Sequence, residues 1–266
     1  MKTETILIMG DNHGNLACPE TLAVIDYVRR EFTPKHRYHL GDNWELACLR
    51  KGVDRESVEA DESHIDSDLL AGQLWLETFQ PTQMSFGNHE ARVFDLYHGT
   101  DSMKRRKKAE KIITQMKRSV RAAGCRKITE YTVWENFQRI GPAVLGHGMS
   151  HGKNAVLDDA LAFSSPGDFF AMGHIHRMTV VNPQRIKGGL AASSGAACRI
   201  RDQRYLAKRK ASLTHQNGFL LLHFVGEKYK LEQVHRWHGK SWCLPGGVIY
   251  TPSDAEIKRF SKHIYD

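Results

Sequence analysis

The stretch Gly41-Asp42-Asn43-Trp44-Glu45 follows the short apolar run Tyr38-His39-Leu40 and places a carboxylate directly after a predicted strand. The same pattern, an apolar run, one glycine and then a side chain able to bind a metal, occurs five times along the chain. The five junctions are Gly10-Asp11, Gly41-Asp42, Gly87-Asn88, Gly146-His147 and Gly173-His174. One junction of this kind means little, but five predict a common site.

The apolar runs before the five junctions predict buried strands. In open α/β sheets, ligands collect at the carboxyl ends of the strands. A glycine at each strand end lets the backbone adopt a positive φ and turn the next side chain into the crevice. We therefore expect one metal site at this edge of the sheet, with Asp42 as a carboxylate that bridges two metal ions.

Five motifs in the chain resemble, in the same order, those of the calcineurin-like metallophosphoesterases. They are Asp11-Asn12-His13, Gly41-Asp42 with Glu45, Gly87-Asn88-His89-Glu90, His147, and Gly173-His174-Ile175-His176. The resemblance extends from about Thr5 to about Gly195. It implies an α/β fold, a layered α/β/β/α sandwich, with a dinuclear metal site at the carboxyl ends of strands.

The resemblance also implies a role for each motif residue. The first metal would be held by Asp11, His13 and His176, and the second by Asn88, His147 and His174, with Asp42 between them. A hydroxide between the ions would attack phosphorus in line, and His89 would donate a proton to the leaving oxygen. Glu45 stands where relatives often carry an aspartate that hydrogen-bonds this histidine, so the longer glutamate must fold back to do so.

The chemistry of a phosphate ester explains why two metals are expected. Hydrolysis needs a strong nucleophile, neutralisation of the phosphoryl oxygens, and a proton for the leaving alkoxide. Two ions roughly 3.5 to 4 Å apart supply the first two, because a metal-bound water has a pKa of about 7. Carboxylate, amide and imidazole ligands suit Mn²⁺, Fe or Zn²⁺ better than Mg²⁺ or Ca²⁺. We expect two divalent ions, with Mn²⁺ favoured and Fe or Zn²⁺ as alternatives.

The chain contains further residues of types that bind metals. His151-Gly152 repeats His147-Gly148, but His147 directly follows the predicted strand Ala143-Val144-Leu145 and fits the glycine-ligand pattern. The five cysteines are Cys18, Cys48, Cys125, Cys198 and Cys243. They are odd in number and lack a C-x-x-C pair, so we expect them to be reduced and structural rather than metal ligands.

Residues 101–127 carry eleven Lys or Arg against two acidic residues, a net charge of +9, which exceeds the +8 of the whole chain. Apolar residues recur within this stretch at helical spacing, which predicts an amphipathic helix with a basic outer face. A solvated face is the simpler interpretation. The alternative is a contact to the phosphate backbone of DNA or RNA beside the site. That contact would be made by Lys104, Arg105, Arg106, Lys107, Lys108 and Lys111.

The 266 residues, 41% of them hydrophobic, can bury a sizeable core, and the even spread of the motifs favours one large domain. We expect a metallophosphoesterase domain over residues 1–235, with the basic helix as an insert at about 101–127, and a C-terminal appendage over 236–266. Tyr131–Asn136 and Ala143–Gly146 predict two strands. The N-terminus resembles neither a signal peptide nor a membrane anchor, so we expect a soluble, cytoplasmic protein without a membrane partner.

Three functions are open at this point. The first, favoured by the basic helix, is a phosphodiesterase or nuclease that acts on nucleic acid. The second is a phosphomonoesterase or phosphoprotein phosphatase; however, protein phosphatases carry an arginine in G-D-x-V-D-R-G, and Leu46 takes its place here. The third is a non-catalytic nucleic-acid-binding protein, which is disfavoured because no ligand is missing. We expect a metal-dependent hydrolase of phosphate esters, with phosphodiesters such as nucleic acid as the first candidates.

Overall fold

Two β-sheets form the centre of the molecule in a computed structural model that describes residues 2–53, 61–184, 188–202 and 210–265. The strands are β1 (Glu4–Met9), β2 (His36–His39), β3 (Gln83–Ser85), β4 (Lys127–Thr129), β5 (Gln138–Ile140), β6 (Ala143–Gly146), β7 (Phe169–Met172), β8 (Met178–Val181), β9 (Leu190–Ser194), β10 (Gly218–Val225), β11 (Lys228–His238), β12 (Ser241–Cys243) and β13 (Ile249–Tyr250). The α-helices are α1 (Pro19–Phe32), α2 (Ile65–Phe79), α3 (Asn88–Gly99), α4 (Met103–Ala122), α5 (Ala155–Phe163) and α6 (Asp254–Tyr265).

The larger sheet has the strand order β13-β12-β11-β10-β1-β2-β3-β4, and the smaller has the order β5-β6-β7-β9-β8. Strands β1 to β4 are parallel to one another, and so are β6, β7 and β9. Each sheet therefore has a parallel part whose strands end at a common edge.

Successive side chains of a strand point to opposite faces of the sheet and therefore pack in different layers. On β1, Leu7 and Met9 pack in one core with α1, whereas Ile6 and Ile8 pack against the smaller sheet. The outer face of the smaller sheet is covered by α5, where Val156 joins a further apolar cluster. Helices, sheet, sheet and helix thus form four layers, and the predicted α/β/β/α sandwich is confirmed.

The C-terminal residues continue the larger sheet. Strand β11 passes residue 235 without a break, and β12 and β13 add to the same edge. Phe260 of α6 is buried in the core that contains the α1 side chains. The burial of this aromatic ring attaches α6 to the helical layer of the domain.

The predicted strand over Tyr131–Asn136 is wrong. These residues form turns in which Thr132 O accepts hydrogen bonds from Glu135 N and Asn136 N, at 3.3 and 3.1 Å. The turn brings the Asn136 side chain inward, where its Nδ2 donates to Phe86 O at 3.2 Å. The strand that pairs with β6 is instead β5, which begins two residues later. The hydrogen bonds of the buried Asn136 side chain therefore outweigh the strand propensity of this segment.

Helix α4 confirms the predicted amphipathic helix, with Ala109, Ile112, Met116 and Val120 buried. It lies alongside α2 in parallel orientation, since Lys108 Nζ is 2.6 Å from Glu62 Oε2 and Ser119 Oγ is 3.4 Å from Gln73 Oε1. The N-terminal end of α4 therefore lies at the end of the molecule where α2 begins.

No helix in the described part of the chain combines the length and the apolar character needed to cross a bilayer.

Candidate metal centre

Seven ligand-type side chains meet at the carboxyl ends of five strands from both sheets. Asp11 and His13 follow β1, Asp42 follows β2, Asn88 opens α3 after β3, His147 follows β6, and His174 and His176 follow β7. Because these strands are parallel within each sheet, their ends bring side chains that are far apart in sequence to one place. The structure thus groups all seven residues that the motifs single out.

The first ligand group consists of Asp11, His13 and His176. His13 Nε2 lies 3.0 Å from His176 Nε2, and His176 Nε2 lies 3.3 Å from Asp11 Oδ1. The backbone N–H of His174 donates to both carboxylate oxygens of Asp11, at 3.1 and 3.0 Å. That N–H fixes the orientation of the Asp11 carboxylate.

The second group surrounds His147. Its Nε2 lies 2.9 Å from Asn88 Oδ1 and 3.1 Å from His174 Nδ1. The Nδ1–H of His147 donates to Leu40 O at 3.1 Å, so the lone pair of Nε2 is directed toward the other two ligands.

Asp42 lies between the two groups. Its Oδ1 accepts a hydrogen bond from His89 N at 2.9 Å, and its Oδ2 lies 3.3 Å from His147 Nε2 and 4.0 Å from His13 Nε2. One oxygen is thus held by the backbone, whereas the other faces both groups.

The spacing of these donor atoms fits metal ions. Two neighbouring ligands that each lie about 2.1 Å from one ion are about 3.0 to 3.4 Å apart in octahedral or tetrahedral geometry. Five contacts between neighbouring donors, at 2.9 to 3.3 Å, agree with this spacing. His13 Nε2 lies farther from Asp42 Oδ2, at 4.0 Å. The residues present therefore fit two divalent ions.

The backbone reaches this geometry in a way that the sequence does not reveal. The left-handed conformation falls on the ligand residues themselves, with φ of 56° at Asp11, 54° at His13, 51° at Asp42, 69° at His174 and 55° at His176. Among the five glycines of the motifs, only Gly41 has a positive φ. Such conformations cost about 1 to 3 kcal/mol each in non-glycine residues, and they concentrate at functional sites.

The other glycines are required for close approach. A Cβ atom at Gly87 would lie 2.6 Å from Asp42 N and would collide with Asp42 Oδ1. A Cβ at Gly173 would collide in the same way with Asp11 Oδ2. The expectation that each glycine turns the chain is thus wrong at these positions, where glycine instead leaves room for a ligand carboxylate.

The electrostatics of the site favour cations. Burial opposes ionisation of Asp42, but the imidazoles of His147 and His89 outweigh it and hold the Asp42 pKa well below its usual value. Burial likewise opposes protonation of His147, but the Asp42 charge outweighs it and raises the His147 pKa to about 9. A buried carboxylate that stays ionised attracts positive charge, whether from a proton on imidazole or from a metal ion.

His89 and Glu45 lie beside the two groups. The Nδ1–H of His89 donates to the backbone oxygen of Glu45 at 2.8 Å, and its Nε2 lies 3.7 Å from Asp42 Oδ2. The Glu45 side chain does fold back, since its Oε2 lies 3.2 Å from His89 Nδ1. The same oxygen lies 2.7 Å from His13 Nδ1, so Glu45 contacts a ligand as well as His89.

Two buried acids hold the turns that carry the ligands. Glu90 accepts hydrogen bonds from the N–H groups of Asp42, Trp44 and Gly87 at 2.7 to 3.0 Å. Asp68 accepts from the backbone of Asn15 and Leu46, at 3.1 and 3.0 Å. The sequence contains no pattern that indicates this role for Asp68, because its partners lie more than 20 residues away.

Other residues at the site also lack a clear signal in the sequence. His151, the alternative to His147, is exposed and lies outside the two groups, with its Nδ1 2.7 Å from His174 Nε2. The His215 ring packs edge-on against His176 at a centroid distance of 5.1 Å. Cys198 is buried beside His13 and His176.

The six basic residues proposed for nucleic-acid contact do not join the metal cluster. Lys104, Arg105, Lys107 and Lys111 are exposed on the N-terminal half of α4, whereas Arg106 and Lys108 are half-buried. The Arg106 guanidinium donates to Thr100 O at 2.9 Å, and Lys108 pairs with Glu62. Since Asp68 near the start of α2 binds the backbone beside Glu45, this end of α4 lies on the same side of the molecule as the cluster.

Searches for similar proteins give structural neighbours only. No family model matches the chain, and no curated protein matches it. One solved structure that resembles it is a metallophosphoesterase from Sphaerobacter thermophilus, with 13% sequence identity and a TM-score of 0.44; the match covers 87% of this chain and 89% of that chain. Another is the phosphoesterase YfcE from E. coli, with 15% sequence identity and a TM-score of 0.40; the match covers 92% of this chain and 96% of that chain. A 5'-nucleotidase precursor from Thermus thermophilus (12% identity, TM-score 0.46) covers 99% of this chain, which spans 58% of that longer protein.

The architecture and the site residues agree with each other. The chain has four layers, with parallel strands of both sheets ending at one cluster. The cluster contains the five motifs, in order, and places their polar side chains within contact distance of one another. The chain thus combines a four-layer α/β/β/α fold with a cluster that contains all five motifs in their order along the sequence.

Proposed function

We propose that the chain is a metal-dependent hydrolase of phosphate esters. The observation that carries this proposal is the position of Asp42, whose Oδ2 lies between two groups of imidazole and oxygen donors. A shared carboxylate with a ligand group on either side is the arrangement that two-metal phosphoester hydrolysis requires.

The proposed ligands form two sets that share one member. One divalent ion would be held by Asp11, His13 and His176, the other by Asn88, His147 and His174, and both by Asp42. When bound, such ions lower the pKa of water and neutralise the phosphoryl oxygens. Mn²⁺ suits the second group, which offers carboxylate and amide oxygens together with imidazole.

His89 is the candidate proton donor for the leaving oxygen. Burial works against its protonation, but the charges of Asp42 and Glu45 outweigh that effect and raise the His89 pKa. The hydrogen bond from Nδ1–H to Glu45 O orients the ring, and Nε2 faces the same side as Asp42 Oδ2. A positioned imidazole that retains its proton near neutral pH is suited to general acid catalysis.

Phosphodiesters such as DNA or RNA are the substrates that we favour. The support comes from the basic half of α4, which lies on the cluster's side of the molecule and exposes four cationic side chains. A nucleic acid whose scissile phosphate reaches the cluster would extend over the neighbouring surface, where such cations bind phosphates.

A substrate panel tests the proposal. Chromogenic diesters and monoesters, single-stranded DNA and RNA would be assayed with added Mn²⁺, with Asp42→Asn as the inactive control. We expect hydrolysis of diesters by the parent protein and none by the variant. Faster hydrolysis of monoesters would favour a phosphomonoesterase or phosphoprotein phosphatase. Activity in Asp42→Asn equal to that of the parent would contradict the two-metal site.

A further inference from the structure

Cys198 occupies an unexpected place beside the first ligand group. It follows β9 by four residues and is fully buried. Its Sγ and one ring nitrogen from each of His13 and His176 all lie within 4.8 Å of one another. A thiol therefore lies next to the two imidazoles that the proposed function assigns to the first ion.

The backbone holds Cys198 in this place. Ala197 N donates to Asp11 O at 3.1 Å, and Ala17 and Cys198 form an isolated antiparallel bridge. On the other side, Asn217 Nδ2 donates to Cys198 O at 2.7 Å. The segment is thus attached on one side to the loop that carries Asp11 and His13. These backbone contacts fix the position of Cys198 relative to the two ligands.

The three donor atoms lie near the separation that ligands of one ion require. With metal–sulfur and metal–nitrogen bonds of about 2.3 and 2.1 Å, sulfur and nitrogen on one ion are about 3.6 Å apart in a tetrahedron and at most about 4.4 Å apart. The three donor atoms lie within 4.8 Å of one another, a limit that is a few tenths of an ångström above that maximum. Rotation of the thiol about its side-chain bond would bring the sulfur within that maximum.

The other buried cysteines have different surroundings. Cys125 Sγ lies 3.2 Å from Lys127 O at the start of β4, which is the opposite edge of the sheet from the cluster. Cys18 Sγ accepts from the Arg236 guanidinium at 3.7 Å. Neither belongs to a group of residues that could hold a metal ion among those found in the described chain.

We propose that the Cys198 thiolate is an additional ligand of the first metal ion, so that this position selects Zn²⁺ or Fe²⁺ over Mn²⁺. The inference rests on the proposed function and extends it to the identity of the metal. On binding, the S–H bond gives its proton to solvent and the sulfur lone pair forms the bond to the ion, with no change in oxidation state. Thiolate ligands favour Zn²⁺ and iron, whereas carboxylate and carbonyl ligands suit Mn²⁺. The two positions would therefore hold different metals.

Cobalt substitution tests this ligand directly. Co²⁺ bound to imidazole and carboxylate absorbs in the visible range, and a bond from thiolate to Co²⁺ adds a charge-transfer band in the near ultraviolet. We expect both features in the full-length parent protein. Cys198→Ser should lose the near-ultraviolet band and keep the visible bands, whereas the control Cys125→Ser should keep both. Zn²⁺ affinity, measured by competition with a chelator, should fall by at least about 10-fold in Cys198→Ser, with Mn²⁺ affinity little changed.

The parent spectrum is decisive even if Cys198→Ser does not fold. Visible bands without the near-ultraviolet band would overturn the thiolate ligand and leave the proposed hydrolase intact. A parent protein that binds no Co²⁺ at all would overturn both. An unchanged near-ultraviolet band in folded Cys198→Ser would assign the band to another thiol and contradict the role of Cys198.

Discussion

Glu45 folds back between two imidazoles that belong to different parts of the site. Its Oε2 lies 2.7 Å from His13 Nδ1 and 3.2 Å from His89 Nδ1. Burial raises the Glu45 pKa, but the neighbouring histidines outweigh burial and hold it below its usual value, so the carboxylate stays charged. One glutamate therefore places its negative charge beside both a predicted ligand and the predicted proton donor.

The role of His89 can be separated from metal binding. His89→Ala should keep the bound metals and lose roughly 10² to 10⁴-fold in rate on substrates with poor leaving groups, the usual range for general acid catalysis. A nitrophenyl ester, whose leaving group needs no proton, should lose much less. Rates on both substrates and the metal content would be measured.

His98→Ala is the matched control, because His98 is exposed on the same helix. It should change neither rate. Equal losses on good and poor leaving groups in His89→Ala would show that His89 is not the acid.

At the residue scale, the sequence predicts which side chains are candidate ligands. It does not predict their backbone conformations or the residues that contact them from distant parts of the chain. The sequence indicates Asp11, Asp42 and His174 because each follows an apolar run and a glycine. It does not indicate that these residues themselves adopt positive φ, because that strain is held by contacts from other strands. Cys198 is 185 positions from His13, and a lone cysteine carries no spacing signal.

At the scale of elements, the site depends on how closely the strand-end turns approach one another. The turn at Gly87 packs on the turn at Asp42, and Glu90 at the start of α3 accepts N–H groups from both. The helix that begins at Asn88 is therefore fixed to the neighbouring strand end by a buried carboxylate.

Gly87→Ala tests this close approach. The new Cβ would displace Asp42, so we expect metal affinity to fall by about 10- to 100-fold and stability to fall by about 1 to 3 kcal/mol. Gly99→Ala at the other end of α3 is the control, because its Cβ would meet no atom within 4 Å. Metal titration and denaturant unfolding would compare the two. Normal metal affinity in Gly87→Ala would mean that Asp42 need not occupy its present position.

Elements with clear periodicity were predictable, and those shaped by buried polar groups were not. Helix α4 follows from apolar residues three or four apart, and it forms as expected. The loop before β5 has the composition of a strand, yet Asn136 must supply Oδ1 to His147 N at 2.7 Å. The hydrogen bond from His147, which follows β6, therefore determines the conformation of the loop before β5.

At the scale of the whole molecule, the two parallel sheet edges and the basic end of α4 lie on one side. Helix α4 runs parallel to α2, which starts next to the loop of Glu45. Six of the eleven basic residues in 101–127 are therefore placed where an extended polyanion could reach both the helix and the cluster. The resemblance carried by the motifs implied the fold class, but it did not imply this placement, which depends on the packing of α4 against α2.

Salt dependence tests the basic surface. If the six residues Lys104, Arg105, Arg106, Lys107, Lys108 and Lys111 bind phosphates, the logarithm of nucleic-acid affinity should fall with the logarithm of salt concentration by about 0.7 to 0.9 per contacted phosphate. Neutralising them should flatten that slope and leave hydrolysis of a small diester unchanged. Sequence preference should be weak, because phosphate contacts do not read bases.

The control neutralises Arg118 and Arg121 near the C-terminal end of α4 and Arg126 beyond it, and it should have little effect on the slope. The nucleic-acid proposal fails if the multiply neutralised variant binds DNA and RNA as the parent does, or if the parent binds neither at low salt. The basic face would then be a solvated surface, and a small phosphate ester would be the better candidate substrate.

The most direct test of the central claim is anomalous X-ray diffraction from crystals of the full chain grown with Mn²⁺ or Zn²⁺. Two anomalous peaks roughly 3.5 to 4 Å apart, one on each side of the Asp42 carboxylate, are the predicted result. A single peak away from Asp42, or no peak at the seven side chains at saturating metal, would contradict the two-metal centre.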